Sequence, residues 1–284
     1  MNADISPMRP SEPETVPLWG AYAPTPAQAR LIALARAMPR NALGRRGAAL
    51  LRRLALAHLR TPLDLRVFGA RVRFYPHDNL TEKRIAFMPQ FFDPEEREAL
   101  TQIMHPGFKF IDIGANAGFY SLFVASQAGP GATIIAVEPE PEMARRLRFN
   151  CAGPGFEHII HEPAALAGGE GWATLNVVHE NRGASGFTPR KQKPADAALS
   201  VRTMALLALM DKYAIRRADA IKIDIEGAED LVLPPFFAAC PPERLPRMLI
   251  IERNGQWDID CIALALQAGY GEISKGRRNV ILLR

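Results

Sequence analysis

Cysteine is scarce in this sequence, and its placement argues against two classes of small, cross-linked protein. The 284 residues include three cysteines, Cys151, Cys240 and Cys261, which form no C-x-x-C pair. An odd, scattered set is not typical of a disulfide framework or of a structural zinc site. We therefore expect three reduced thiols and a fold held by a hydrophobic core, for which a hydrophobic content of 48% is sufficient.

Long apolar runs are also missing. No stretch approaches the roughly 20 consecutive apolar residues of a membrane-spanning helix. The first 25 residues are rich in proline and show no basic start followed by an apolar stretch, so no signal peptide is predicted. These features predict a cytoplasmic protein in which residues 1–25 form a disordered segment.

Acidic residues are absent from Val16 to Leu63, although the whole chain has 30 of them and a net charge of +5. Two helical patterns, at residues 26–38 and 47–60, lie in this stretch together with eight arginines. Three interpretations stay open: the helices pack on the rest of the chain, they contact an anionic membrane, or they bind nucleic acid. Because no aromatic residues are interleaved with the arginines, no nucleic-acid partner is predicted.

The second of these helical patterns has an apolar side. At 100° per residue its apolar residues fall together, opposite several arginines. They are Leu50, Leu51, Leu54 and Ala57. In a helix that packs on the rest of the chain, this side is expected to face the core. The next segment, residues 63–76, alternates with a period of two and predicts a β-hairpin, so residues 26–104 are expected to form a small helical and β-hairpin region.

Strands and helices alternate from residue 105 onward. Continuous apolar strands such as "FKFIDI", "ATIIAV" and "RMLIIER" are separated by helical patterns, as expected when helices cover both faces of a parallel sheet. Residues 105–284 are therefore predicted to form an α/β domain with a doubly wound, mostly parallel, Rossmann-like sheet. The last two strand patterns, "YGEIS" and "NVILLR", predict an antiparallel hairpin at one edge.

The segment "FIDIGANAG" ends the first of these strands in a tight bend. Gly114 and Gly118 let the backbone turn and let a ligand approach without a Cβ in the way. A dinucleotide needs G-x-G-x-x-G, but here the spacing is Gly114-x-Asn116-x-Gly118, and the position three residues after Gly118 is Ser121, so the fingerprint fails. Asp112 would also repel a pyrophosphate. S-adenosylmethionine (SAM) has no phosphate and presents an ammonium group, so the bend favours SAM over NAD.

The next strand pattern, "IIAVEPEP", indicates an adenosine ligand. Glu138 stands at its carboxyl end, about twenty residues after the glycines, where a carboxylate can accept hydrogen bonds from both ribose hydroxyls. Because this applies to either cofactor, the choice of SAM depends on the glycine spacing and on Asp112. An NAD-linked dehydrogenase on the same architecture remains an alternative.

Four segments together resemble the FkbM-type methyltransferases, a branch of the SAM-dependent class I methyltransferases. These are "FIDIGANAGFYSLFVA", "AVEPEPEMARRLRFN", "PAAL" and "AIKIDIEGAED", and the likeness covers about Gly107 to Arg284. The resemblance implies methyl transfer from SAM to an oxygen, often a hydroxyl of a carbohydrate, glycoconjugate or secondary metabolite. It implies cofactor contacts at Asp112, Gly114, Ala115, Asn116, Gly118, Tyr120, Glu138, Ala164 and Ala165, the last two near the adenine.

Carboxylates also end two later strands, in "IKIDIEG" and "LIIERN". Asp224, Glu226 and Glu252 are expected at the crevice that receives the SAM methyl group. A hydroxyl is a poor nucleophile while protonated, so we expect Asp224 or Glu226 to take its proton and Glu252 to orient the acceptor. Asp224 could instead bind the SAM ammonium group or cap the loop. A Mg²⁺ site is a further alternative, but no metal is predicted because the D-x-D spacing is absent.

Several expectations concern neighbouring residues. Lys222 lies inside a strand and is expected to extend along the sheet towards solvent, whereas His161 is expected to be packed. Family members often have a Leu-Asp pair where this chain has Ala205 and Leu206, which puts a local helix cap in doubt. Residues 177–194 form either a mobile cover for the acceptor site or a plain connection. A last alternative is a non-catalytic SAM- or carbohydrate-binding module at a membrane.

Overall fold

The computed structural model describes residues 16–57, 59, 62–186, 197–253, 257–275 and 278–284. Its helices are α1 (Pro26–Arg36), α2 (Ala42–Leu56), α3 (Leu80–Phe87), α4 (Pro94–Ile103), α5 (Phe119–Ala128), α6 (Pro141–Cys151), α7 (Leu206–Lys212), α8 (Leu233–Ala239) and α9 (Cys261–Gln267). Its strands are β1 (Leu63–Val67), β2 (Ala70–Phe74), β3 (Lys109–Ile113), β4 (Thr133–Val137), β5 (Ile159–Glu162), β6 (Ala165–Leu166), β7 (Gly171–Val177), β8 (Ala197–Met204), β9 (Ala220–Ile223), β10 (Met248–Glu252), β11 (Gly271–Lys275) and β12 (Asn279–Leu283). Within these ranges no helix is both long and apolar enough to span a bilayer.

A seven-stranded sheet with the order β11-β12-β10-β9-β3-β4-β5 forms the centre of the fold. The five strands from β10 to β5 are parallel, and β12 and β11 complete one edge in antiparallel pairing. The chain runs outward from β3 to β4 and β5 and then returns to the other side of β3 for β9. The predicted doubly wound sheet and its closing hairpin are confirmed, and the order reverses between β3 and β9, where such sheets bind ligands.

Helices cover both faces of this sheet, so its central strands are buried throughout. In β3, Phe110 and Ile111 are both completely buried, but they belong to different hydrophobic clusters on opposite faces. This two-sided burial explains why the strands read as continuous apolar runs rather than as alternating patterns. A smaller sheet with the order β6-β8-β7 is inserted between β5 and α7.

The N-terminal region packs against the sheet domain through buried ion pairs. Arg146 of α6 is 2% exposed and pairs with Asp78 at 2.6 Å, Glu82 at 2.7 Å and Glu142 at 2.8 Å. Burial raises the pKa of Glu82 to about 7, so its ionised form depends on the Arg146 partner. This docking holds the start of α3 beside the glycine loop, where Asn79 Nδ2 donates to Asn116 Oδ1 at 2.9 Å.

Residues 16–25 are more ordered than the sequence predicts. Asp64 of β1 accepts hydrogen bonds from the backbone N–H groups of Gly20 at 2.7 Å and Tyr22 at 3.2 Å. Arg73 of β2 pairs with Asp64 and donates to the carbonyl of Leu18 at 2.8 Å. The predicted hairpin therefore forms and also anchors the segment before α1, while residues 1–15 lie outside the described residues.

The leucine side of α2 packs on the protein only in part, since Leu51 is half-buried against the core whereas its other members are exposed. The helix begins at Ala42, with Asn41 as its cap, and buries Gly44, Ala48 and Ala55. Leu50 and Leu54 are 59% and 53% exposed, and Ala57 is exposed as well. Small residues face inward because the chain approaches closely: a Cβ at position 44 would lie 2.1 Å from the carbonyl oxygen of Pro39.

Candidate cofactor and acceptor site

A cavity of about 60 Å³ opens at the carboxyl ends of β3, β4 and β9. Five of the predicted site residues line it, namely Gly114, Asn116, Glu138, Asp224 and Glu226. The three strands are neighbours at the point where the strand order reverses, so residues from distant parts of the chain meet there. This location is the one that the doubly wound fold offers to a ligand.

Gly114 lies where the loop after β3 contacts the loop after β9, on the wall of this cavity. Its φ is +76°, and a Cβ there would lie 1.9 Å from the carbonyl oxygen of Asp224. A side chain would therefore separate the loop after β3 from the loop after β9. Gly118 also has a positive φ, +90°, and begins α5. These two glycines are required by conformation, and at Gly114 also by close approach.

Glu138 is held rigidly on the cavity wall by backbone donors. Its Oε2 accepts from the N–H of Asn116 at 2.8 Å, and its Oε1 accepts from the N–H of Glu140 at 2.9 Å. The side chain is 7% exposed, and burial raises its pKa to about 7. Each oxygen keeps a second lone pair for a ligand. The carboxylate is thus fixed in the position expected for an acceptor from two ribose hydroxyls.

Lys222 lies on the other side of β3 and is not the solvent-directed lysine that the sequence predicts. It is 3% exposed, its Nζ donates to Asp224 Oδ2 at 3.0 Å, and it lies 4.8 Å from the centre of the Tyr120 ring. Asp112 is its register partner on β3. Burial disfavours the charged ammonium, but the facing carboxylates of Asp224 and Asp112 raise the Lys222 pKa overall. The lysine is therefore a buried cation beneath the cavity.

Asp224 and Glu252 form a coupled carboxyl pair at the ends of β9 and β10. Burial raises the pKa of Glu252 to about 9, with a further contribution from the neighbouring Asp224. Burial acts in the same direction on Asp224, but Lys222 and a hydrogen bond from Glu252 hold its pKa below the usual value. The two shifts have opposite directions, so Asp224 is the stronger acid of the pair and Glu252 the one that holds a proton to higher pH. Glu252 Oε1 also pairs with Arg278 at 2.8 Å.

A segment from residue 178 to residue 186 covers the cavity from the inserted sheet. Arg182 donates to Glu140 Oε1 at 3.0 Å, and its backbone N–H donates to the carbonyl of Asp78 at 2.9 Å. Asn181 Oδ1 accepts from the backbone N–H of Leu80 at 3.1 Å. The described part of the predicted loop is thus tied to the start of α6 and to the N-terminal region, while residues 187–196 lie outside the described ranges.

Comparison with known families decides what this cavity belongs to. A family model described as the methyltransferase FkbM domain matches residues 112–267, which is more than half of the chain. The match begins at Asp112 in β3 and ends with α9. The chain belongs to the FkbM methyltransferase family. It is therefore a SAM-dependent methyltransferase, and the NAD-linked dehydrogenase alternative is set aside.

Curated relatives match over a shorter span. Protein-L-isoaspartate O-methyltransferase of Aeropyrum pernix is 33% identical over 73 residues, which cover 26% of this chain and 24% of that protein. The enzyme of the same name from Methanopyrus kandleri is 29% identical over 76 residues, covering 27% of this chain and 29% of that protein. The chain thus spans about a quarter of the length of these relatives.

Solved structures are similar at low identity. A SAM-dependent methyltransferase from Agrobacterium tumefaciens is 14% identical, with a TM-score of 0.43, and the match covers 79% of this chain and 70% of that one. TrmK of M. capricolum, solved in complex with S-adenosyl-homocysteine (SAH), is 11% identical with a TM-score of 0.38, covering 66% of each chain.

The lining of the cavity suits SAM by its chemistry. Its wall presents the carboxylates of Glu138, Asp224 and Glu226, which suit a ligand whose sulfonium and ammonium groups are positive. Glu138 retains acceptor capacity for a ribose. Gly114 lets the loop after β3 pack directly on the Asp224 backbone, which brings the two walls together. Glu138, Gly114 and Asn116 are the residues that would hold the cofactor.

Asp112 lies beneath the cavity and not on its wall. Its Oδ2 accepts from the backbone N–H of Ser121 at 3.0 Å and from Ser121 Oγ at 2.7 Å, so it caps the first turn of α5. Oδ1 is buried and has no hydrogen-bond partner among the described residues. The carboxylate is turned towards the helix in this structure, and its expected contact with the SAM ammonium group stays a prediction.

Four other predicted cofactor residues are buried near the cavity without lining it: Ala115, Tyr120, Ala164 and Ala165. Tyr120 donates its hydroxyl to Asp93 Oδ2 at 2.8 Å, so its polar end is directed to the N-terminal region. Ala165 packs with Leu175, which does line the cavity. Their assignment to the cofactor stays a prediction.

The acidic cluster has the geometry of a cation site, but it already has cationic partners. Single oxygens of Asp224, Glu226 and Glu252 lie within 4.8 Å of one another. Lys222 pairs with Asp224, and Arg278 pairs with Glu252. Because these two side chains compensate most of the negative charge, the cluster does not require a metal ion.

Glu229 lies in the segment "AIKIDIEGAED" and organises the loop after β9. It is completely buried, and its Oε1 accepts from the backbone N–H groups of Ile225 at 2.9 Å and Gly227 at 3.2 Å. Its Oε2 accepts from Trp257 Nε1 at 2.7 Å. These bonds stabilise a loop in which Glu226 and Gly227 both have positive φ, +54° and +89°. The strain at Glu226 is thus maintained by Glu229.

Two minor expectations are confirmed. His161 Nε2 lies 3.0 Å from the carbonyl oxygen of Glu138, and burial lowers the His161 pKa, so it is a packed histidine. Ala205 precedes α7 and makes no side-chain capping bond, as expected from the missing aspartate. The residues that sequence reasoning missed are Lys222 and Arg182. Lys222 was signalled by a charge inside an apolar strand. Arg182 lies in residues 177–194, for which a cover of the acceptor site was one of two interpretations, but the sequence did not single out this arginine.

Proposed function

We propose that this protein methylates a hydroxyl oxygen of a carbohydrate, glycoconjugate or secondary metabolite. The observation that carries the proposal is Asp224: a carboxylate on the wall of the cavity that accepts a hydrogen bond from the buried Lys222 at 3.0 Å, which holds its pKa below the usual value. A hydroxyl acceptor needs a proton acceptor within hydrogen-bond reach, whereas a neutral amine does not need one before it attacks.

The chain's own residues divide the work. When bound, SAM supplies a methyl group on a positively charged sulfur, which needs alignment with the nucleophile more than activation. Asp224 would accept the hydroxyl proton of an acceptor whose oxygen takes the methyl group that bound SAM supplies. Glu226, on the same wall, is placed to orient the acceptor. Glu252 is 6% exposed and acts on Asp224, so its expected role of orienting the acceptor is reassigned to positioning the base.

An anionic acceptor suits this wall less well. The curated relatives are named for isoaspartate, whose methylation places a methyl group on a carboxylate. The proposed base Asp224 is ionised, so an incoming carboxylate within hydrogen-bond reach of it would be repelled by a like charge. A hydroxyl, which is neutral and donates a hydrogen bond, complements Asp224 better.

The chemistry of the product distinguishes these acceptors. The purified chain is incubated with SAM labelled in its methyl group and with separate pools of hydroxyl-rich glycans, natural products and isoaspartyl peptides. Methyl ethers survive mild alkali, whereas methyl esters release volatile methanol. The proposal expects alkali-stable label from a hydroxyl pool, and it expects Asp224→Asn protein to produce none above background.

Two results would contradict the proposal. Alkali-labile label from isoaspartyl peptides would assign the activity to carboxylates. Tight SAH binding without label in any pool would favour the non-catalytic binding module. Titration with SAH separates that second case from a protein that has not folded.

A further inference from the structure

The leucine side of α2 faces away from the protein. Leu43, Leu50 and Leu54 are spaced by seven and four residues, which places them on one side of the helix. They are 78%, 59% and 53% exposed. Single exposed leucines are ordinary, but three leucines on the same side of one helix form an exposed apolar strip. We call this strip and its flanking arginines, Arg46 and Arg53, the α2 outer face.

The packing of α2 does not use this strip. The helix packs on the protein through Gly44, Ala48 and Ala55. Position 44 is too close to Pro39 to accommodate a side chain. Covering a leucine is worth about 1.5–3 kcal/mol in general, so an arrangement that leaves three outside forgoes a large stabilisation. The leucines are therefore available to something other than this chain's described core.

The charge beside the strip is positive. Arg46 and Arg53 each follow a leucine of the strip by three residues, and both are exposed. Arg45 and Arg52 lie on the other flank and are engaged with the protein: Arg45 lies over the Phe91 ring at 5.3 Å, and burial lowers the Arg52 pKa. No acidic residue occurs between 16 and 63 to neutralise this face locally.

The exposed leucines and the neighbouring positive charge together indicate which kind of partner binds the α2 outer face. A second copy would bring a face of the same charge, and nucleic acid has no comparable apolar surface to cover the leucines. An anionic membrane offers phosphates to the arginines and the headgroup–acyl boundary to the leucines. We propose that the α2 outer face binds the surface of an anionic phospholipid membrane. This inference concerns where the enzyme works and does not depend on the acceptor proposed above.

Vesicle flotation of the full chain tests this proposal. Vesicles of phosphatidylcholine alone are compared with vesicles that contain about 30% phosphatidylglycerol, at about 0.05 M and about 0.3 M salt. We expect binding to the anionic vesicles at low salt, at least tenfold weaker binding to the neutral ones, and a similar loss at high salt. Each arginine near such a surface contributes about 1 kcal/mol, so Arg46→Ala/Arg53→Ala protein should bind roughly 30-fold more weakly.

Variants of matched exposure supply the controls. Leu43→Ser/Leu50→Ser/Leu54→Ser protein should lose binding at both salt concentrations. Leu266→Ser, at a leucine of α9 that is 45% exposed, should bind like wild type. Arg216→Ala/Arg247→Ala protein, altered at two exposed arginines elsewhere, should also be unaffected. Thermal unfolding and SAH titration establish that each variant is folded.

Three outcomes would overturn the proposal. Wild-type protein that stays unbound at low salt would mean that the face is covered or unused. A dimer that dissociates in the leucine variant, measured by light scattering, would assign the face to a second copy. Equal binding by the triple leucine variant and wild type would show that another surface contacts the lipid.

Discussion

The two ends of the cavity hold their carboxylates in different ways. Glu138 follows β4 and receives hydrogen bonds from two backbone N–H groups, of Asn116 and Glu140. Asp224 follows β9 and is held by two side chains, Lys222 and Glu252, which themselves titrate. Backbone donors fix a position and do not change with pH, as a binding contact requires. Side-chain partners can respond to a proton, as a catalytic base requires. The fold thus separates binding from chemistry across β3.

The largest loss of stability and cofactor affinity is expected from a substitution at Gly114, where the loops after β3 and β9 touch. In Gly114→Ala protein the new Cβ would lie 1.9 Å from the carbonyl oxygen of Asp224 at a φ of +76°. Strain and overlap should lower the free energy of unfolding by about 3 kcal/mol or more and weaken SAH binding over 100-fold. Calorimetry and thermal unfolding measure both quantities.

The matched control for this substitution is Gly131→Ala. Its Cβ would meet nothing closer than 3.8 Å, and its φ is not in the left-handed region. Wild-type SAH affinity in the Gly114→Ala protein would mean that the close approach of the two loops is not needed for cofactor binding.

Removing the base should affect turnover alone. Asp224→Asn keeps the shape of the side chain but cannot take a proton, so kcat should fall by about 10²–10⁴. Glu226→Gln, on the same wall, should cost less because the buried Lys222 pairs with Asp224, the group to which the base role is assigned. Initial rates with saturating SAM measure both. A larger loss for Glu226→Gln than for Asp224→Asn would exchange their roles.

Removing the ribose contact should affect affinity. Glu138→Gln replaces charged acceptors by an amide, and hydrogen bonds to charged groups are worth about 1.5–3 kcal/mol, so SAH should bind about 10- to 100-fold more weakly. Glu162→Gln is the control: this carboxylate ends the neighbouring strand β5 but bonds Lys212 and Tyr213 instead of facing the cavity. Equal losses in the two variants would indicate a general structural effect.

The pH dependence of binding should follow Glu138. Burial raises its pKa to about 7, so it becomes neutral as the pH falls below that value, and one oxygen ceases to be a free acceptor. SAH affinity should decline between about pH 8 and about pH 6 in wild type and stay nearly level in Glu138→Gln protein. Calorimetric titration at each pH records this. A level wild-type profile would contradict the raised pKa.

The last effect concerns the pH dependence of the free energy of unfolding, which involves Glu252 beside Asp224. The pKa of Glu252 is raised to about 9, so its contribution to stability is complete below the unfolded value near 4.5 and is lost as the pH rises through 9. The free energy of unfolding of wild type should therefore fall more between about pH 6 and about pH 9 than that of Glu252→Gln protein. Denaturant titrations at both pH values check this, and parallel profiles would argue against a protonated Glu252.

The sequence predicted the parts of the site that depend on local geometry. The bend at Gly114 and the carboxylate at Glu138 follow from a strand, a loop and a helix that are contiguous in the chain, and the strand order then fixes their meeting. The sheet and its hairpin were equally readable, because buried parallel strands have a distinctive apolar pattern.

The remaining features depend on contacts between distant segments. The burial of Lys222 requires Asp112, Asp224 and Tyr120 to surround it, and the sequence alone does not reveal that neighbourhood. The inward side of α2 carries Gly44, Ala48 and Ala55, and at position 44 the approach to Pro39 leaves no room for a side chain. Periodicity identified a distinct side of the helix but not which side would be covered.

One measurement tests the division between the two ends most directly: calorimetric titration of SAH into wild-type, Glu138→Gln and Asp224→Asn protein at about pH 8. The account predicts that Glu138→Gln binds at least tenfold more weakly while Asp224→Asn stays within about threefold of wild type. If Asp224→Asn instead loses binding and Glu138→Gln keeps it, Asp224 holds the cofactor's ammonium group, and its assignment as the base is wrong.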